Sequence, residues 1–164
     1  MGMTDKTVEV WRNLWFHSGD MAYRDESGNL FYVDRKGDRI RRRAENVASY
    51  DIECAAAEHE GVKECAAVGV PSGYESDDDI LLFLVPKVGA VIEYTEVLQT
   101  LAEKLPYYMV PRYVELVSEL PRTPTNKLRK KELRDRGINP STWDRRAAGI
   151  NLRELTEKIR TNKS

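Results

Sequence analysis

The sequence predicts an α+β fold: a small domain with an N-terminal β-hairpin and a roughly three-stranded sheet flanked by helices. Three observations lead there. Two short apolar runs, CAAVGVP and ILLFLVP, end in proline and suit buried strands. Two other stretches repeat apolar residues at helical spacing. An alternating run, LFYVDR, follows the turn signal DESGN.

The elements follow in order. Trp11 and Trp15 stand four apart, as on one face of a helical turn. Leu30–Asp34 and Arg39–Arg43 read as the two arms of a hairpin broken by KGD. Ser49 is placed to cap a helix, with Asp51 and Glu53 in its first turn. Ile52, Ala55, Ala56 and His59 continue that helix, and Gly61 ends it. Thr95 opens a second helix carrying Val97, Leu98, Leu101 and Leu105 on one side. After a turn bounded by Pro106 and Pro111, RYVELVSEL reads as a third strand. Leu128–Arg136 forms a short basic helix closed by Gly137. Ser141-Thr142-Trp143-Asp144 resembles a capping box, and Leu152, Leu155 and Ile159 suggest a last amphipathic helix.

Composition bounds the function. The 164 residues suffice for one domain with a real core. Hydrophobic residues make up 41% and charged residues 32%, as in a soluble globular chain. No apolar run approaches a membrane span, and the first ten residues lack the pattern of a signal peptide. A net charge of −1 gives no global field for nucleic acid. Cys54 and Cys65 form no CxxC pair, and with His17 and His59 as the only histidines no metal site is expected. Spacing leaves a disulfide possible; buried thiols in a reducing cytoplasm are the ordinary reading.

Two basic clusters stand out. Residues 35–43 hold six basic residues against one acidic, and residues 127–136 hold six against two. Taken alone, each reads as a solvated face. RNA contact is the rival reading, but no aromatics are interleaved as a stacking platform requires. Gly19-Asp20 and Gly37-Asp38 read as turns, although an aspartate can also accept both hydroxyls of a ribose. No glycine-rich phosphate loop and no nucleophile–base pair is evident.

The order of the pieces carries more than any one of them. WFHSGD, DESGNLFYVDRKGDRI, ENV, a helix and PRTPTNKLRK closely resemble the C-terminal domain of the adenylate-forming acyl-CoA synthetases. Among these, the chain is most similar to the crotonobetaine/carnitine-CoA ligase-like and fatty-acid-CoA ligase-like members. The resemblance runs from about Trp11 to Gly149. It divides the chain into 1–19, the end of a large N-terminal domain or a lead-in, and 20–36, up to a hinge. Residues 37–138 then form the mobile C-terminal domain, and 139–164 a helical tail.

The resemblance also implies roles. Asp20, in SGD where the family has TGD, and Arg35, in DR where it has GR, would contact the ribose of ATP or AMP. Gly37 falls on the hinge, where the family has Asp or Lys. Arg43, Ala44 and Glu45 fall on the family's GGEN loop, which lines the pantetheine tunnel of CoA. Lys127 falls on the lysine of the PxTxxGK-type motif, with Asn126 replacing glycine; asparagine accepts the left-handed backbone that glycine supplies. That lysine would serve adenylation, and the domain would then rotate for thioester formation. The implied cofactors are ATP and CoA, with Mg2+ held mainly by the large N-terminal domain. The implied partners are that domain and a small carboxylate, in the cytoplasm, with no nucleic acid. The fragment alone would be inactive. The alternative is a stand-alone module that binds CoA or a carrier protein without catalysis.

Overall fold

The computed structural model describes residues 4–35, 37–74, 77–152 and 154–155. The chain divides into two compact units, residues 1–37 and 38–164.

The first unit holds helix α1 (Thr4–Val10), a 3-10 turn at Arg12–Leu14, and the antiparallel pair β1 (Asp20–Arg24) and β2 (Leu30–Arg35). DESGN closes this pair. Asp25 accepts hydrogen bonds from the backbone and side-chain N–H of Asn29, both at 2.8 Å, and Gly28 takes φ +88°. The expected hairpin is therefore present, but its arms differ from expectation. β2 pairs with β1, and residues 40–42 pair further on. The expected helical face through Trp11 and Trp15 is also corrected. The α-helix stops at Val10, Asn13 and Leu14 take φ +59° and +62°, and Trp15 is extended. Trp11, Trp15, Phe16, Tyr23, Phe31 and Tyr32 are all exposed.

The second unit opens with the short hairpin β3 (Ile40–Arg42) and β4 (Glu45–Val47), followed by α2 (Ser49–Ala57). β5 (Val62–Pro71), β6 (Asp78–Pro86), β7 (Tyr113–Leu116) and β8 (Trp143–Asp144) make a sheet in that order. β5 is antiparallel to β6. β7 runs parallel to β6, as a connection through α3 (Tyr94–Lys104) allows. β6 is a near-continuous apolar run because both its faces are covered. Ile80, Leu82 and Leu84 face the cluster built on α2 and α3 with Ile52, Leu98 and Leu101. Leu81, Phe83 and Val85 face a second cluster with Val68, Tyr113 and Leu133, the last from α4 (Lys130–Arg136). Gly137 closes α4 with φ +60°, as its sequence position predicts.

Three local expectations change. Ser49 is not a cap but the first helical residue: Ala48 holds the cap position, and the Ser49 hydroxyl is buried. α2 ends at Ala57, before Gly61. Trp143-Asp144 is not a helix start but an edge strand on β7. A carboxylate explains the strand: Arg112 donates to Asp144 through Nε and Nη2, the latter at 2.8 Å, and through Nη1 to buried Asp79 at 2.9 Å. Burial raises the Asp144 carboxyl, but the bonds from Arg112 outweigh it and hold the group below the ordinary range. Leu152 and Leu155 are helical, and Ile159 lies outside the described residues. No helix among the described residues is long and apolar enough to cross a membrane.

Candidate functional site

Lys127 sits at the end of a tight turn tied by its own residues. The Thr123 N–H donates to the Lys127 carbonyl at 2.8 Å. The Asn126 N–H donates to the Thr123 carbonyl at 2.9 Å, and the Lys127 N–H to Thr123 Oγ1 at 3.0 Å. Asn126 takes φ +64°, the left-handed conformation expected where glycine is replaced by asparagine. Thr123 thus works as the turn's acceptor on both backbone and side chain, which is what a proline-threonine turn offers. The Lys127 side chain is exposed, and its ammonium has no hydrogen-bond or ion-pair partner among the described residues.

The other charges nearby are spent differently. Lys130 Nζ lies 2.7 Å from Glu53 Oε1 and donates to Ser49 Oγ at 2.7 Å, so it ties α4 to α2. Arg134 pairs with Asp38 at 3.2 Å, and Arg136 pairs with the fully buried Glu115. Glu115 also accepts from Asn139 Nδ2 and Thr142 Oγ1, each at 2.8 Å. Lys131 is 84% exposed and, among the described residues, pairs with Asp135 one turn on, the ordinary helix-surface arrangement. The second basic cluster is therefore not a uniformly solvated face.

The β3–β4 loop is two residues long, and both are left-handed: Arg43 has φ +52° and Ala44 φ +65°. A two-residue hairpin with positive φ at both positions favours glycine. Here the strain is held by Asp77 Oδ1, which accepts the Arg43 N–H at 2.5 Å. Arg42 points inward, buried against Asp77 and Asp79. The Arg43 guanidinium stacks over Tyr107, 5.2 Å from the ring centroid, and donates to its hydroxyl at 3.3 Å. Glu45 is exposed. Asp78 fixes the strand entry by accepting the Arg41 N–H at 3.1 Å. A Cβ on Gly69 would approach that carboxylate to 2.9 Å, so only glycine leaves it room.

In the first unit, Asp20 and Arg35 face each other directly across β1 and β2, and Arg35 Nε donates to Asp20 Oδ1 at 3.2 Å. Gly19, at φ +79°, turns the chain into β1. The pair offers carboxylate oxygens and guanidinium N–H groups side by side on an exposed edge. Both histidines are in local contacts: His17 Nε2 with the Arg12 carbonyl at 3.1 Å, and His59 Nδ1 accepting the Gly61 N–H at 3.1 Å.

Comparison with known proteins decides the family. The model for the AMP-binding enzyme C-terminal domain matches residues 51–127, ending on Lys127. Those residues carry that domain. A long-chain-fatty-acid–CoA ligase of Escherichia coli O6:H1 is 43% identical over 132 residues, 80% of this chain and 23% of the ligase. The amide bond synthetase McbA of Marinactinospora thermotolerans superposes with a TM-score of 0.72 at 32% identity, over 82% of this chain and 28% of that one. ATP-bound MatB of Rhodopseudomonas palustris gives 0.72 at 29% identity, over 82% and 27%. The chain spans roughly a quarter of the curated relatives it matches, 23% to 27% of their length.

Within this AMP-binding C-terminal domain, the sequence singles out Lys127 and its turn but not the side chains around them. Arg122, Asp77 and Tyr107 contact predicted site residues or their turns, and Glu64 in turn holds Arg122. Arg122 was visible in the motif, but its partner Glu64 lies 58 positions upstream, too far for any local pattern. No group of three or more metal-ligating side chains occurs among the described residues.

Proposed function

We propose that this chain is the C-terminal lid domain of an ATP-dependent, AMP-forming carboxylate–CoA ligase, and that Lys127 serves its adenylation step. The observation that carries the reading is Lys127 itself: an exposed lysine without a partner among the described residues, on a turn fixed by four hydrogen bonds. Lys130, Arg134 and Arg136, by contrast, are committed to ion pairs.

In adenylation a carboxylate oxygen attacks the α-phosphorus of ATP, acyl-AMP forms and pyrophosphate leaves. Both reactants are anionic. A cation delivered between them screens their repulsion and stabilises charge building on the phosphate. Lysine suits this because its long stem carries a compact charge away from its own domain. Asp20 accepts from the ribose hydroxyls, with Arg35 beside it. The domain then turns about Gly37. The Arg43-Ala44-Glu45 loop lines the approach of pantetheine, and the thiolate of CoA attacks the acyl carbonyl to release AMP. The division of the chain into units at residues 37 and 38 supports a pivot there. The exposed aromatic side chains of the first unit fit cover by a large N-terminal domain, which would also hold the acyl pocket and Mg2+. The use of ATP and CoA supports a reaction in the cytoplasm. Residues 1–164 alone would form no acyl-AMP.

The test is Lys127→Ala in the intact ligase. Acyl-AMP formation is expected to fall by about two orders of magnitude, for a loss of roughly 3 kcal/mol of transition-state stabilisation. Thioester formation from supplied acyl-AMP and CoA is expected to continue. Lys131→Ala is the control and should leave both steps unchanged. Normal adenylation by Lys127→Ala, or an equal loss in both steps, contradicts the role.

A further inference from the structure

We propose that Arg122 is a positioning residue that clamps the Lys127 turn onto strand β5 through Glu64. The inference rests on the adenylation role of Lys127 and deepens it. One arm of the guanidinium, Nη1, donates to the carbonyl of Asn126, the residue immediately before Lys127, at 2.9 Å. The other, Nη2, donates to Glu64 Oε2 at 2.6 Å. One planar group therefore bridges the turn and the sheet.

The backbone bonds of the turn cannot do this. The contacts among Thr123, Asn126 and Lys127, and the bridge between Arg122 and Leu128, set the shape of the turn. They leave open where that shape sits relative to the sheet. On the far side of Lys127, Lys130 fixes α4 through Glu53 and Ser49. On the near side, Arg122 supplies the corresponding tie. Lys127 is thus held between two side-chain anchors that both end on the α2–β5 layer.

Glu64 is suited to its part. It follows the register irregularity at the start of β5, between Val62 and Glu64, where the strand bends. Lys63 lies 3.7 Å away on its other oxygen. The hydrogen bond from Arg122, opposed by burial, holds its carboxyl below the ordinary range, so it stays charged at neutral pH. The clamp matters because lysine has a long flexible stem, and holding its Cα reduces the volume its ammonium must search. A misplacement of about 1 Å costs on the order of 100-fold in rate in well-positioned sites. Only arginine spans both acceptors with one rigid fork; lysine at this position would reach one.

The experiment uses the intact ligase carrying Arg122→Ala, Arg122→Lys, Glu64→Gln or Lys127→Ala, with both half-reactions measured. Amide hydrogen exchange at residues 123–127 is followed in the same proteins. Arg122→Ala is expected to lower kcat for adenylation by about 10- to 100-fold. The KM for ATP should change little, and thioester formation from supplied acyl-AMP should stay normal. Exchange at the Asn126 and Lys127 amides should quicken. Arg122→Lys should fold normally and still show a partial kcat loss, and Glu64→Gln should fall between it and the wild type. Normal adenylation in Arg122→Lys and Arg122→Ala, beside a severe loss in Lys127→Ala, overturns the clamp and leaves the role of Lys127 standing. Equal losses in both half-reactions for the Arg122 variants also overturn it. Normal adenylation in Lys127→Ala overturns the underlying role instead.

Discussion

The two cysteines show how far surroundings separate like residues. Cys65 donates its S–H to the Glu53 carbonyl at 3.2 Å. Burial, reinforced by the nearby Glu53 charge, pushes its thiol up to about 12. Cys54 is exposed on α2, and both thiols are free. Because the thiolate is the reactive form, Cys65 is protonated and inert well above neutral pH. Treating the chain with iodoacetamide at pH 8 and mapping the peptides should show modification at Cys54 and protection at Cys65, with both reacting once urea unfolds the protein. Equal rates in the folded protein contradict this account. The sequence suggested buried thiols; Cys65 is half-buried and Cys54 exposed, since spacing carries no information on which helix face reaches the sheet. Asn126 is the opposite case. Its left-handed φ was legible because it stands where the resembled motif has glycine, and asparagine accepts that backbone.

At the scale of elements, α4 carries two adjacent lysines with different fates. The side chain of Lys130 is only 12% exposed and meets Glu53, itself 17% exposed; that of Lys131 is 84% exposed. Removing Lys130 takes the cation away from a largely buried carboxylate whose Oε1 also accepts the Ala67 N–H of β5 at 2.8 Å. Lys130→Ala should therefore lower unfolding stability by about 3 kcal/mol, as for a broken buried pair. Lys131→Ala should cost no more than about 0.5 kcal/mol. Urea denaturation of both variants measures the difference, and equal midpoints would refute the tie between α4 and α2. The sequence offered both as helix-surface charges, because a helical pattern does not show which turn meets a distant carboxylate. The hairpins were misread for a related reason. KGD resembles a turn, so Leu30–Asp34 was joined to the next strand, while the true β3–β4 turn is Arg43-Ala44, two residues with no turn signature. The sheet was legible because both faces of β6 are apolar, and a buried central strand leaves an unbroken run.

At the scale of the whole molecule, the proposed function depends on where the chain can bend. The segment after Gly37 is pinned to the second unit at successive points: Asp38 by Arg134 at 3.2 Å, Arg41 by Asp78 at 3.1 Å, and Arg43 by Asp77 at 2.5 Å. Before it, Arg35 belongs to β2 of the first unit. The rotation proposed above would thereby be confined to the few bonds around Gly37, which a diffuse linker would not achieve. A Cβ at Gly37 would meet nothing within 4 Å, so Gly37→Ala should leave the intact ligase near its normal rates. Gly37→Pro fixes φ near −65° and removes a backbone donor. If the proposed rotation passes through this residue, proline favours one orientation of the domain over the other. Acyl-AMP formation and thioester formation should then respond unequally, one falling by about tenfold or more for each 1.4 kcal/mol by which its orientation is disfavoured. The paired variants separate geometry from simple crowding: alanine adds bulk without restricting φ to one value, and proline does both. Rates within twofold of normal for both half-reactions in Gly37→Pro would move the pivot away from this residue. Equal losses in both would mark a folding defect rather than a hinge.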